Sequence, residues 1–183
     1  PLKTPICDFG QAAKSFELKS TNNEIIKLND IKGTNGTLVM FICNHCPYVK
    51  AVIKDIVEDC KNLEKLGVKA VAICSNDTIN YPEDSFENMI EIAKKHQFSF
   101  PYLFDETQNV AKSYDAVCTP DFFGYNNNLE LQYRGRIREL DNLKPVRAGD
   151  SDLYSAMKQI AGTGKGPETQ IPSAGCAIKW LDN

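Results

Sequence analysis

The stretch FICNHCPYVK, Phe41 to Lys50, decides how this chain is read. It begins inside an apolar run, Leu38-Val39-Met40-Phe41-Ile42, which follows the turn-forming Thr34-Asn35-Gly36. Short, partly β-branched and without polar alternation, that run reads as a buried strand of a parallel sheet. Cys43, His45, Cys46 and Pro47 come directly after it. Apolar residues then recur at Val49, Val52, Ile53, Ile56, Val57, Cys60, Leu63 and Leu66, one face of a 3.6-residue period, so a long amphipathic helix is expected. Proline at the first helical position makes Cys46 the N-cap. Free backbone N–H groups and the positive end of the helix dipole then face its sulfur and favour the thiolate, the reactive species. A Cys-X-X-Cys at a strand-to-helix junction inside a βαβ pattern is a redox signature. The plain alternative is two small, apolar-like thiols packed at a strand end.

Composition sets the outer bounds. A chain of 183 residues suffices for one domain with a well-buried core. A net charge of −3 argues against nucleic acid or an anionic membrane as partner. No apolar run approaches membrane-spanning length, and PLKTPICDFGQ holds no hydrophobic signal core, so a cytoplasmic location is expected. Seven cysteines in such a chain cannot all pair, and read as a mixture of core and reactive thiols.

Around the central strand, Ser15 to Lys19 and Glu24 to Leu28 alternate about Thr21-Asn22-Asn23 and predict a hairpin, followed by a helical turn over Leu28 to Ile31. Gly67 stops the long helix, and Val68 to Cys74 is a second buried strand, completing βαβ. Pro82, Glu83, Asp84 and Glu87 predict the acidic first turn of a helix reaching about His96, where Lys94, Lys95 and His96 compensate its dipole. Tyr102 to Phe104 reads as a strand and Thr107 to Tyr114 as a short helix. Val117 to Phe123 leads into a hairpin turned by Asn126-Asn127-Asn128 and returning over Leu129 to Ile137. A helix over Ser151 to Ile160 takes Ser151 or Asp150 as its cap. Gly162 to Gly166 lacks phosphate-loop spacing and reads as a linker. The domain is therefore drawn at 1–161, with 162–183 as an extension whose apolar stretch, Ile171 to Trp180, docks back on it.

The motifs NHCPYVK (Asn44 to Lys50), YPEDSFENM (Tyr81 to Met89), FPYLFDETQ (Phe100 to Gln108), VCTPDFF (Val117 to Phe123), YRGRI (Tyr133 to Ile137) and GCAIKW (Gly175 to Trp180) span most of the chain. Together they resemble the redoxin branch of the thioredoxin fold, the alkyl hydroperoxide reductase/thiol-specific antioxidant superfamily, and within it a peroxiredoxin-like subgroup. The resemblance implies an α/β, thioredoxin-like fold, a central mixed sheet flanked by helices, with an N-terminal hairpin and a C-terminal extension. It implies Pro120 as the cis-proline beside the reactive cysteine, with the Thr119 backbone free to pair with an extended substrate. By register, Cys46 takes the nucleophile's place, the usual second cysteine falls on Val49, and Cys43 is an additional thiol upstream. Typical peroxiredoxins carry a proline and a threonine or serine where this chain has Val39 and Cys43, so the hydroxyl that orients peroxide is missing there.

The expected activity is thiol–disulfide redox chemistry with Cys46 as nucleophile and either Cys43 or Cys118 as resolving thiol. Its partners are a disulfide or peroxide substrate and an external thiol reductant, with no cofactor. A thiol-dependent peroxidase is the alternative of the same class. Thr119, Pro120, His45, Pro47 and Arg136 are the expected substrate-binding residues. His45 is a candidate for steadying the Cys46 thiolate or carrying a proton, against a plain solvent-facing loop residue. Arg134, Arg136 and Arg138 alternate, so on a strand they share one face, either a solvated edge or an anion-binding patch. Cys60 reads as core, and Cys74 more as core than as site. Cys7, assigned to a mobile terminus, and Cys176, in the tail, have no evident partner. Copper or zinc on Cys43, His45 and Cys46 is the reading from another class. It lacks the second Cys/His pair that a structural zinc site usually shows.

Overall fold

The computed structural model describes residues 1–182. In chain order the strands are β1 (Leu2–Lys3), β2 (Glu17–Ser20), β3 (Ile25–Lys27), β4 (Gly36–Phe41), β5 (Val68–Cys74), β6 (Tyr102–Phe104), β7 (Cys118–Thr119), β8 (Asp121–Tyr125), β9 (Leu131–Tyr133), β10 (Leu140–Asp141), β11 (Lys144–Pro145) and β12 (Ala174–Ala177). The helices are α1 (Pro47–Lys50), α2 (Ile53–Glu64), α3 (Phe86–Lys95), α4 (Asn109–Tyr114) and α5 (Asp152–Thr163). Seven strands form one mixed sheet in the order β3-β2-β6-β5-β4-β8-β9. β4, β5 and β6 run parallel, and the flanking pairs are antiparallel.

β4 is apolar on both faces because the sheet is covered on both. Leu38, Met40 and Ile42 pack with Ile56, Leu63 and Met157 of α2 and α5. Val39 and Phe41 face the other way, toward Tyr114 of α4, Phe123 and Ile178. A strand buried on both faces shows no polar alternation, which is why the run was legible. β5 lies beside it in register, Val39 opposite Val71 and Phe41 opposite Ile73. The two parallel strands therefore deliver Cys43 and Ser75 to the same carboxyl edge, where open α/β sheets place their sites.

Several expectations are corrected. The long helix is two helices, because Val52, at φ −120° and ψ 5°, breaks the run between α1 and α2. Val49, Val52, Ile53 and Ile56 are all buried, so the apolar stripe crosses the break without showing it. The acidic helix starts later than its proline: residues 82–84 form a separate 3-10 turn, and Ser85 Oγ accepts the Asn88 N–H at 3.2 Å as the cap of α3. α5 runs on through Gly162 and Thr163 and stops at Gly164, whose φ of +77° suits only glycine well. The N-terminus is tied down, since β1 pairs with β12, and β12 pairs in turn with β7.

The three arginines do not share a strand face. β9 ends at Tyr133, whose ring folds back over Gly135 and whose hydroxyl donates to the Arg136 carbonyl at 2.6 Å. Each arginine then finds its own carboxylate: Arg134 Asp121 at 2.9 Å, Arg136 Asp152 at 2.6 Å, and Arg138 Asp55 at 3.1 Å. Arg134 is buried, lies over the Phe123 ring, and also donates to the Asp115 carbonyl.

Replacing Arg134 with Leu strands a carboxylate in the core. We expect a loss of about 3–5 kcal/mol by urea unfolding at neutral pH. Burial pushes the Asp121 carboxyl up, partly offset by Arg134. A raised native pKa makes the neutral acid the better-tolerated form, so the deficit should shrink as pH falls from 7 toward about 4. A deficit independent of pH would show that lost packing, and not the stranded charge, is responsible.

Candidate active site

β4 ends where Ile42 donates its last ladder bond to Ile73, and the chain then turns through Cys43, Asn44 and His45 into α1. Pro47 opens α1 and Cys46 is its N-cap. Facing them is the turn between β7 and β8, with a cis bond between Thr119 and Pro120. The two cysteines meet Thr119 from one side: Cys43 Sγ lies 3.4 Å from its hydroxyl, and Cys46 Sγ 3.5 Å from its carbonyl. Both thiols are almost wholly buried, at 2 % and 1 % exposure.

The electrostatics separate the pair. The Cys46 thiol is held well below its ordinary range, above all because the Cys43 thiol donates to its sulfur. Burial opposes this, and smaller help comes from the Cys176 thiol and from the Val49 and Cys176 backbone N–H groups. Cys43 moves the opposite way for the same reason: its proton is spent on Cys46, and burial penalises its anion. The arrangement is directional. The Thr119 hydroxyl is placed to donate to Cys43, and Cys43 donates to the Cys46 thiolate. Protonated, Cys46 donates to the Thr119 carbonyl instead. The reason for the low Cys46 range therefore differs from the expectation. α1 is a single turn with little dipole, its Val49 amide already bonds the Cys46 carbonyl at 3.1 Å, and the neighbouring thiol is the main donor.

This account sets a pH prediction. Cys43→Ala removes the donor, so the pH at half-maximal alkylation of Cys46 should rise by roughly 1–2 units, the worth of a hydrogen bond to a charged group. Cys43→Ser keeps a donor and should lie between. Pseudo-first-order iodoacetamide rates from pH 4 to 9, read by peptide mapping, check this. An unmoved profile in both variants would shift the explanation to the backbone amides.

The loop is held by a buried carboxylate. Asp84 Oδ1 accepts the Asn44 N–H at 2.7 Å, and Oδ2 accepts from Asn76 Nδ2 at 2.8 Å. The Asn44 side chain donates to the Glu83 carbonyl and accepts from the buried Tyr102 hydroxyl at 2.8 Å. His45 stacks on Tyr81, with Nδ1 only 2.7 Å from Asp84 Oδ2 but without the alignment of a hydrogen bond. Ligand atoms of Cys43, His45 and Asp84 lie within 4.8 Å of one another. That is one short of a closed structural zinc site, and the two carboxylate oxygens are already occupied by Asn44 and Asn76.

The other expected residues separate. Cys118 is fully buried, donates weakly to the Pro120 carbonyl at 3.7 Å, and is pushed up to about 12, chiefly by burial. Arg136 is held by Asp152 and, at 3.8 Å, by Glu139, and none of its polar contacts reaches Cys43 or Cys46. Cys60 and Cys74 are core thiols raised by burial. Three residues of the site escaped the sequence reading. Asp84 read as a helix-start acid, Asn44 was given no role of its own, and Cys176 had no visible partner. Cys176 sits on β12 directly opposite Thr119, where it helps to lower the Cys46 thiol.

Among solved structures, an uncharacterised conserved protein of Geobacillus kaustophilus is 39 % identical, with a TM-score of 0.94 over 100 % of this chain and 97 % of that one. The thioredoxin domain of a thiol-disulfide oxidoreductase from Bacteroides vulgatus shares the fold at a TM-score of 0.58 and 15 % identity, over 69 % of this chain and 86 % of that one. A curated relative, the ribosomal protein uS12 methylthiotransferase RimO of Clostridioides difficile strain 630, is 26 % identical over 147 residues, 66 % of this chain. This chain matches only 33 % of the length of that protein. No helix of the described residues is long and apolar enough to cross a membrane. The AhpC/TSA family model matches residues 9–140, taking in the CNHC loop, Asp84 and the Thr119-Pro120 turn, and the chain belongs to that family, on a thioredoxin-like fold.

Proposed function

We propose that this chain is a thiol–disulfide oxidoreductase in which Cys46 is the nucleophile and Cys43 the resolving thiol. The observation that carries the reading is the placement of both sulfurs on Thr119, Cys43 at its hydroxyl and Cys46 at its carbonyl, with the Cys46 thiol held low beside Cys43. Membership of a thiol-redox family agrees with it. The Cys46 thiolate attacks one sulfur of a substrate disulfide, forming a mixed disulfide and releasing the other half as a thiolate. Cys43 gives its proton to that leaving thiolate and attacks the Cys46 sulfur. A Cys43–Cys46 disulfide forms and the second substrate thiolate departs, so two electrons have passed to the substrate. An external thiol reductant returns them. Cys43 is favoured over Cys118 as resolver because Cys43 shares Thr119 with Cys46, whereas the Cys118 proton is directed at the Pro120 carbonyl. The domain we draw at 1–161 then carries the thiol pair, and 162–183 acts as the segment that covers it.

The test is disulfide reduction by dithiothreitol, with insulin and a small aromatic disulfide as substrates, beside peroxide consumption and metal analysis of the purified protein. Catalysis of disulfide reduction that is lost in Cys46→Ser is the expected result. Peroxide consumption without disulfide exchange would make the chain a peroxidase. Stoichiometric zinc or copper with neither activity would make it a metal-binding protein.

A further inference from the structure

We infer that Cys176 is a third redox thiol, which carries the disulfide from the buried Cys43–Cys46 pair to the surface. The inference rests on Cys46 being the nucleophile and concerns how electrons reach it. Cys43 and Cys46 are 2 % and 1 % exposed, so a thiol nearer the surface is the easier point of attack for a protein reductant. Cys176 is only partly buried and packs on the same core cluster as both. β12 packs on α1, the helix that Cys46 caps, and from there Cys176 helps to lower the Cys46 thiol.

The placement is built by the backbone. β12 pairs with β7 so that Cys176 lies opposite Thr119, the residue whose hydroxyl and carbonyl hold the other two sulfurs. The preceding residue has to be glycine for this, because a Cβ on Gly175 would sit 2.1 Å from the Thr119 carbonyl oxygen. The Ser173 hydroxyl ties the same segment to the Pro120 carbonyl at 2.7 Å. Three thiols are thus gathered around one threonine, ordered from buried to accessible.

The step is an exchange without net oxidation. Cys176 loses its proton and attacks the Cys46 sulfur of the Cys43–Cys46 disulfide. The Cys46–Cys176 bond forms, the Cys43–Cys46 bond breaks, and Cys43 leaves as a thiolate that takes up the proton. An external dithiol reductant then attacks the accessible Cys176 sulfur and releases Cys46 as its thiolate. The second reductant thiol closes on the first, frees Cys176, and carries two electrons in for each disulfide removed.

The experiment uses the full chain and maps disulfides after acid quench and non-reducing digestion. In Cys43→Ser treated with oxidised glutathione, Cys46–Cys176 should be the main bridge, and trapped wild-type protein should contain both Cys43–Cys46 and Cys46–Cys176. In Cys176→Ser, the ratio of the rate of reduction by a thioredoxin to that by dithiothreitol should fall at least about tenfold. If Cys176→Ser forms Cys43–Cys46 but Cys176 alkylates freely in oxidised Cys43→Ser, the third-thiol assignment is overturned and the oxidoreductase reading stands. If no bridge involving Cys46 forms in any of the three proteins, the oxidoreductase reading itself fails.

Discussion

Cys46→Ser should reduce disulfide turnover to background, below about a thousandth of the wild-type rate, because a hydroxyl in that position is not ionised and cannot be a sulfur nucleophile. The comparison with its neighbours gives the result its meaning. Cys43→Ser keeps the nucleophile and loses the resolver. With Cys176→Ser added, so that no third thiol can take over, it should complete the first attack and then stall as a mixed disulfide on Cys46, visible as an adduct by intact mass. Cys118→Ser removes a thiol whose hydrogen bond goes to Pro120, and turnover should stay within about twofold of wild type. A Cys118→Ser variant that stalls as a mixed disulfide on Cys46 would transfer the resolving role across the site. Equal loss in all three would point to a structural role for the thiols.

What the sequence shows and what it hides differ by range of interaction. β4 and β5 are legible because continuous apolar runs announce strands covered on both faces. The N-cap place of Cys46 is legible because Pro47 fixes the start of α1 within one residue. The break at Val52 is hidden, since periodicity reports which side chains are buried and says nothing about whether the backbone ladder continues beneath them. The arginine alternation misleads in a related way: extended spacing in sequence becomes a strand only if the backbone stays extended, and Tyr133 folding over Gly135 ends it. Asp84 and Cys176 are hidden for another reason. Asp84 meets Asn44 from 40 residues away, and Cys176 reaches Cys46 only through the pairing of β12 with β7. No local pattern encodes such a contact, although an aspartate in a proline-initiated turn and a Gly-Cys pair in an apolar tail are the signals that mark these places.

At Asp84 a loss of stability as large as that of Arg134→Leu is expected. Its side chain is fully buried, and its two oxygens accept from the Asn44 amide and from Asn76 Nδ2, with His45 Nδ1 against one of them. Asp84→Ala removes the acceptor and leaves those donors without water to replace it. Each unsatisfied buried group costs about 1–3 kcal/mol, so the variant should lose about 3–5 kcal/mol. For a chain of this size that is a fall in Tm of roughly 6–20 °C. Asp84→Asn keeps one acceptor oxygen and should lose less than half as much. The functional consequence follows from which atoms are released. The Asn44 amide lies between the two cysteines in sequence, so freeing it lets Cys43 drift from Cys46, and the pH at half-maximal alkylation of Cys46 should rise alongside the loss of stability. Thermal unfolding and alkylation profiles of the two variants separate the contributions. Asp84→Asn with near-normal Tm but a raised alkylation profile would place Asp84 as a positioning residue for the thiol pair. An Asp84→Ala variant melting within about 2 °C of wild type would show that the carboxylate is dispensable to the loop, contrary to its burial and its two short hydrogen bonds.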